Sequence, residues 1–304
     1  MAGPQPAGPD AEGFVPLAAP IDLQSTLAPL AHGRGDPTIR LTAGAVWRAT
    51  RTPDGTATIR LQSTPRGIEV AAWGAGSQSA VAEAADLVGA RDQPELLVPR
   101  HRLISELVRR LPGLRLPRTM RVFEALLPAI CEQKVTGIEA RASFRGLVAT
   151  YGEPAPGPAG LRLPPPPGVL AALPYFALHR FGLERRRADV IVAAARLAPR
   201  LEGAEPAQAY ALMRAVPGIG PWTCAEVGRI AFGDPDALSI GDYHLPNLVA
   251  WALAREPRAD DARMLELLAP YEGQRGRVQR LLEVSGLSAP RYGPRMAPRR
   301  IAGI

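Results

Sequence analysis

Residues 212–244, LMRAVPGIGPWTCAEVGRIAFGDPDALSIGDYH, constrain this chain more than any other stretch. Two segments with helical apolar spacing, 206–215 and 221–232, are separated by only Val216-Pro217-Gly218-Ile219-Gly220, so the chain must reverse within a few residues. Pro217 fixes φ, Gly218 and Gly220 are expected at φ values closed to other residues, and Ile219 anchors the turn between the helices. A tight turn that opens a second helix at Pro221 or Trp222 leaves backbone N–H groups facing outward, where anions bind. The plainer alternative is an ordinary interhelical turn, since Pro-Gly and Gly-X-Gly pairs are common.

The chain on either side divides into two characters. Residues 1–17 are rich in Pro, Gly and Ala and are expected to be disordered. A short helix at 22–31 follows, then β-rich runs at 38–41, 46–50, 56–62 and 67–73, with Pro53-Asp54-Gly55 as a hairpin turn and a helix at 79–88. These elements imply an α+β domain over 18–98 without catalytic features. Beyond it, apolar spacing near 3.6 residues recurs at 100–110, 119–131, 137–151, 183–200, 206–215, 221–232, 243–254, 260–269 and 274–284. The proline-rich stretch 153–168 reads as a stiff extended connection between helices; the alternatives are a domain boundary or a proline-motif ligand.

Composition narrows the chemistry. Two cysteines, Cys131 and Cys224, are too few for a disulfide framework or a thiolate zinc site, and the four histidines lack metal-ligand spacing, so a transition-metal enzyme is not expected. No apolar run suits a membrane span and the start of the chain lacks the pattern of a signal peptide, which together predict a cytoplasmic protein. The net charge of +7 is unevenly placed: residues 1–98 hold 7 Lys+Arg against 10 Asp+Glu, the remainder 29 against 19. That asymmetry suits an electrostatic footprint for DNA or RNA on the helical part, although an arginine-favouring genome would produce it too, Lys134 being the only lysine.

Asp242 stands at the start of an apolar segment holding Leu245, Leu248, Val249 and Ala252. Two roles suit it together. As a helix N-cap it is worth ~1 kcal/mol, and a helix N-terminus favours the charged carboxylate that would oppose a developing positive charge.

PGIGPWT followed by GDYHL at this spacing resembles the helix-hairpin-helix DNA glycosylase superfamily, and most closely its AlkA-like 3-methyladenine DNA glycosylase II members. PGLRLPRTMRVFEALLPAICEQKVTG, at 112–137, is similar to that family's entry into its helical domain. The resemblance spans residues 18–290 and implies an α+β fold: a small N-terminal antiparallel-sheet domain, then an all-α two-lobed domain over 99–290, with lobes 121–234 and 99–120 plus 235–290. A basic tail, 291–304, remains. The resemblance makes Asp242 the catalytic carboxylate and places Trp222, Glu226 and Tyr243 at the base pocket. Pro217, Gly218, Ile219, Gly220 and Thr223 would hold a DNA phosphate. The carbonyls of Arg214, Val216 and Ile219 match positions for a structural Na⁺ or K⁺, with no cofactor required.

Trp222 occupies the position where a lysine makes the Schiff base of glycosylase/lyases, so base removal without strand cleavage is expected. Its ring either stacks on the extruded base or caps the hairpin as core. Glu226 replaces an aromatic of the AlkA type and either attracts a cationic alkylated purine or faces solvent. Lys134 lies where relatives place the side chain filling the gap left by the flipped base; either Gln133 fills that gap or Lys134 binds phosphate. Arg185-Arg186-Arg187 is expected as solvated helix surface. The implied function is monofunctional base excision repair of alkylated purines on double-stranded DNA by a monomer. Alternatives are a glycosylase for another lesion such as deaminated purines, or a non-catalytic DNA-binding protein.

Overall fold

The computed structural model describes residues 8–290. The expectations for residues 1–7 and for the basic tail 291–304 lie outside the described residues. Ahead of the helical region run β1 (Ala11–Pro16), α1 (Leu23–Leu27), β2 (Ile39–Thr42), β3 (Ala45–Thr52), β4 (Gly55–Thr64), β5 (Gly67–Trp73), α2 (Ser77–Ala82) and α3 (Ala84–Leu87). The helical region holds α4 (Arg102–Arg110), α5 (Val122–Cys131), α6 (Gly137–Tyr151), α7 (Pro167–Ala171), α8 (Arg185–Leu201), α9 (Pro206–Arg214), α10 (Pro221–Val227), α11 (Leu245–Ala254), α12 (Asp261–Leu268) and α13 (Arg275–Val284).

The five strands form one antiparallel sheet in the order β1-β5-β4-β3-β2. The expected disorder over residues 1–17 is corrected here: Ala11–Pro16 pairs along the edge of β5, from Ala11 opposite Ala72 to Pro16 opposite Gly67. Proline is tolerated there because an edge strand need not donate on both sides. Alternation assigns the two faces. Val46, Ile59, Leu61, Val70 and Ala72 pack with Leu23 and Leu27 of α1 and Ala80 of α2.

The opposite face carries Ala49 and Trp47, and it is covered by Ala159, Leu161 and Leu163. The proline-rich stretch is therefore more than a connection. Its backbone bonds back on itself at Pro154 and Arg162, and Arg162 N–H donates to Pro37 O of the sheet domain. A sheet with both faces covered explains why β3 reads as a run rather than a clean alternation.

The helical region has two cores. One gathers α5, α6, α8, α9 and α10 around Leu126, Ile130, Leu147, Ile191 and Met213. The other gathers α4, α11, α12 and α13 around Ile104, Leu107, Val249, Met264 and Val278. Local devices fix the helix ends. Thr136 and Glu139 form a reciprocal capping box at α6. At the start of α5, the Glu202 carboxylate beyond α8 accepts from the N–H groups of Val122 and Phe123. Arg187 corrects the expectation of a solvated arginine cluster: it is 2% exposed, and its guanidinium donates to Cys131 O, Gly182 O and Glu184. Burial without water forces it to satisfy its donors on the protein. Arg185 stays exposed and lies over the Tyr175 ring.

Glu124 of α5 docks the helices on the sheet. Its carboxylate accepts from Arg48 at 2.7 Å, the Thr50 hydroxyl at 2.8 Å and the Arg51 N–H at 2.7 Å. Glu124→Ala leaves the buried Arg48 charge without its partner and is expected to cost about 3–5 kcal/mol. Urea denaturation checks this: the midpoint falls for Glu124→Ala and falls less for Glu124→Gln. An unchanged midpoint contradicts the docking role.

Candidate active site

The hairpin between α9 and α10 is built as its residues require, with one difference. Gly218 has φ +100°, and a Cβ there would meet Val190 Cγ2 at 2.5 Å, so glycine is needed for both conformation and space. Gly220 does not share the first reason. Its φ is −104°, an extended conformation open to any residue, and a Cβ would meet nothing within 4 Å. Gly220 borders open space. It is also the residue before α10, where it offers no side chain to cap the helix. Ile219 is buried and its N–H closes the turn onto Val216 O at 3.0 Å; Pro217 is exposed.

Two residues expected to touch DNA are instead spent on each other. Thr223 is 2% exposed, and its hydroxyl receives Gln133 Nε2 at 2.9 Å. The same Nε2 donates to Gly218 O at 3.0 Å. Thr223 is buried where α10 packs against the end of α5. Gln133 braces the end of α5 against the hairpin. Lys134, the next residue, is exposed with φ +54°. Its conformation follows from the turn between the end of α5 and the Thr136 cap of α6.

Asp242 and Trp222 are brought together across the two helical cores. Trp222, half-buried on the first turn of α10, donates its indole Nε1–H to Asp242 Oδ2 at 3.1 Å. The other oxygen, Oδ1, accepts from the N–H of His244 at 2.7 Å and of Leu245 at 2.8 Å. Asp242 is therefore not the N-cap it was expected to be: His244 holds that position, and Asp242, two residues earlier, accepts the two N–H groups at the entry to α11 with one oxygen and holds the indole with the other. The polar edge of the Trp222 ring is thereby fixed to the carboxylate. His244 is exposed at the helix start and meets the Tyr243 ring edge-on at 4.9 Å.

Tyr243 is 86% exposed, directly ahead of the His244 N-cap of α11. Glu226 fits neither of its two expected places. Its Oε1 accepts from Arg229 and from the Ser239 hydroxyl, both at 2.5 Å, so it is held inside the protein rather than presented to solvent or left free in a pocket. Burial pushes the Glu226 carboxyl up, and the neighbouring Arg229 pulls it back. Burial likewise opposes the Arg229 charge, but Glu226 and Glu283 hold that guanidinium above its usual range. Ser239, Gln279 and Glu283 belong to this cluster and went unnoticed in the sequence. Only the Glu226 to Arg229 spacing was a local signal; the rest depends on which helices meet.

A carboxylate fixed by three N–H donors at a helix start can stabilise a cation forming beside it. No group of His, Cys, Asp or Glu among the described residues is arranged to hold a metal ion, and no helix among them is long and apolar enough to cross a membrane. No known family profile matches the chain. The probable bifunctional transcriptional activator/DNA repair enzyme AlkA of two Mycobacterium tuberculosis strains is 26% identical over 241 residues, 76% of this chain and 49% of the relative. The chain thus spans about half the length of the curated relatives it matches. Among solved structures, a 3-methyladenine DNA glycosylase from Archaeoglobus fulgidus superposes with a TM-score of 0.74 at 19% identity, over 90% of this chain and 97% of that one. The Clostridium acetobutylicum 8-oxoguanine glycosylase/lyase in its apo form does so with a TM-score of 0.68 at 11% identity, over 93% and 99%. These structural likenesses establish the fold. The fold is thus that of these DNA glycosylases, and the sequence is similar to the mycobacterial AlkA relatives over 241 residues.

Proposed function

We propose that the protein is a monofunctional DNA glycosylase that hydrolyses the N-glycosidic bond of a flipped, damaged base, with alkylated purines as the substrate class. The observation that carries this reading is the Asp242 carboxylate, held by His244 N–H, Leu245 N–H and the Trp222 indole. As the bond to the base lengthens, the sugar gains oxocarbenium character; a fixed carboxylate opposes that charge and lets water complete the reaction at C1′. Trp222 has no amine to attack the sugar, and its one donor is engaged by Asp242, which supports hydrolysis without strand cleavage. The names of relatives point the same way on substrate: the archaeal structure is a 3-methyladenine DNA glycosylase and the mycobacterial relatives are called DNA repair enzymes.

The hairpin supplies the grip on duplex DNA. Open space at Gly220 lets a phosphate approach the backbone, and the charge balance of the helical part favours it. The carbonyls of Arg214, Val216 and Ile219 would offer oxygen ligands suited to a hard cation such as Na⁺ or K⁺. Binding there would stiffen the turn; Val216 O already takes the Ile219 N–H. One asymmetric lesion needs one site, in keeping with a monomer.

Release of free base from methylated duplex DNA tests the reading. Wild type is expected to release 3-methyladenine and to leave the abasic strand intact until heat or alkali is applied. Failure to release any damaged base would sink the enzyme reading, and scission without heat or alkali would sink the monofunctional one. The two glycines separate grip from fold. Gly218→Ala is expected to lose about 1–3 kcal/mol of stability through its positive φ and its approach to Val190. Gly220→Ala should melt as wild type does while binding duplex DNA more weakly, as read by fluorescence anisotropy. Normal DNA affinity in Gly220→Ala would contradict the phosphate site.

A further inference from the structure

Beneath the Asp242 turn lies a buried polar cluster that the proposed reaction does not use. Ser239, fully buried, is its centre. The Ser239 carbonyl accepts the N–H of Asp242 at 3.2 Å, closing the turn that carries the carboxylate. The other polar groups of Ser239 are all held from outside that turn. Its N–H donates to Gln279 Oε1 at 3.1 Å, its hydroxyl donates to Glu226 at 2.5 Å, and that hydroxyl accepts from Gln279 Nε2 at 3.0 Å. Gln279 Nε2 also reaches Glu283 at 2.8 Å, and Arg229 joins Glu226 to Glu283. Arg280 extends the cluster to the sheet domain, donating to Ser25 O at 2.7 Å.

The anchors come from α10, from α13 and from the segment leading to Asp242. Glu226 is one turn beyond Trp222 on α10; Gln279 and Glu283 are one turn apart on α13; Ser239 is three residues before Asp242. Glu226, Arg229, Arg280 and Glu283 balance to zero net charge. Arg229 Nε and Arg280 Nε are buried without a partner, but the contacts of Ser239, Gln279 and Glu226 are paired, and a paired buried network specifies one arrangement of the elements it joins. Here the arrangement it specifies is that of the two partners in the Trp222–Asp242 hydrogen bond. We propose that Glu226 and Gln279 are positioning residues, which act through Ser239 to fix the Asp242 turn against Trp222. The proposal rests on the reading of Asp242 as the catalytic carboxylate.

The Trp222 indole N–H reports the position directly in the full-length protein. Its ¹H–¹⁵N resonance is assigned by its loss in Trp222→Phe, and Asp242→Ala marks the shift of an indole without its acceptor. Gln279→Leu and Ser239→Ala, neither of which touches Trp222, are expected to move the resonance toward the Asp242→Ala position. Glu226→Gln keeps an amide oxygen for Ser239 and Arg229, so it should stay near wild type, whereas Glu226→Leu should not. Single-turnover base release should fall about tenfold or more in Gln279→Leu, with duplex affinity within about twofold of wild type.

An unmoved resonance in both Gln279→Leu and Ser239→Ala overturns the proposal, as does a loss of base release matched by an equal loss of DNA affinity. Should Gln279→Leu fail to fold, Ser239→Ala, which removes a single oxygen, still decides. If wild type releases no base, the glycosylase reading fails, and the indole resonance alone still confirms or rejects the positioning role.

Discussion

The carboxylate of Asp242 is bonded from two sides that belong to different cores. Its Oδ1 is fixed by the first N–H groups of α11, and its Oδ2 by the indole of Trp222 at the start of α10. Neither side alone would define where the charge sits. A helix N-terminus sets the direction of one oxygen; the indole sets the rotation of the group about it. Catalysis by a fixed charge depends on that second restraint, because a carboxylate free to turn toward water reorganises during the reaction and loses much of its effect. Whatever holds the two helical cores in register therefore holds the Trp222–Asp242 contact.

The register is set by buried polar contacts more than by apolar packing. The Glu226 and Gln279 cluster ties α10 and α13 to the Asp242 turn. Glu124 ties α5 to the sheet through Arg48, Thr50 and Arg51. Arg277 of α13 pairs with Asp92, joining the second core to the segment that follows the sheet domain. Apolar faces tolerate sliding by fractions of a side chain, whereas a buried ion pair or a two-centre amide contact has one satisfied geometry. The sheet domain thus bears on the site without carrying any residue of it.

Much of this was legible in the sequence where the signal was local. The helix over residues 137–151 and the hairpin at Pro53-Asp54-Gly55 followed from periodicity and turn chemistry, and the structure has them as α6 and the β3–β4 turn. Misreadings arose where tertiary contacts decide. The segment 11–16 looked disordered from the Pro, Gly and Ala content of residues 1–17, yet the open edge of β5 gave it a partner. Gly220 looked conformationally obligatory, but its φ is ordinary and only the space beside it is special. Thr223, Gln133 and Glu226 have polar side chains that sequence reading directed outward, and each found an internal partner instead. Asp242 stood out because a carboxylate at the start of an apolar helical segment can serve a helix end, although the N-cap itself proves to be His244. The bond of Asp242 to Trp222, twenty residues earlier, had no local signature.

The account comes down to whether the charge on Asp242 drives bond cleavage. Asp242→Asn keeps an oxygen for the α11 N–H groups and removes the charge, so single-turnover release of 3-methyladenine from methylated duplex DNA tests it most directly. The account predicts a loss of about 10²–10³-fold in rate with duplex affinity retained. A variant that releases base within a few-fold of the wild-type rate would contradict it.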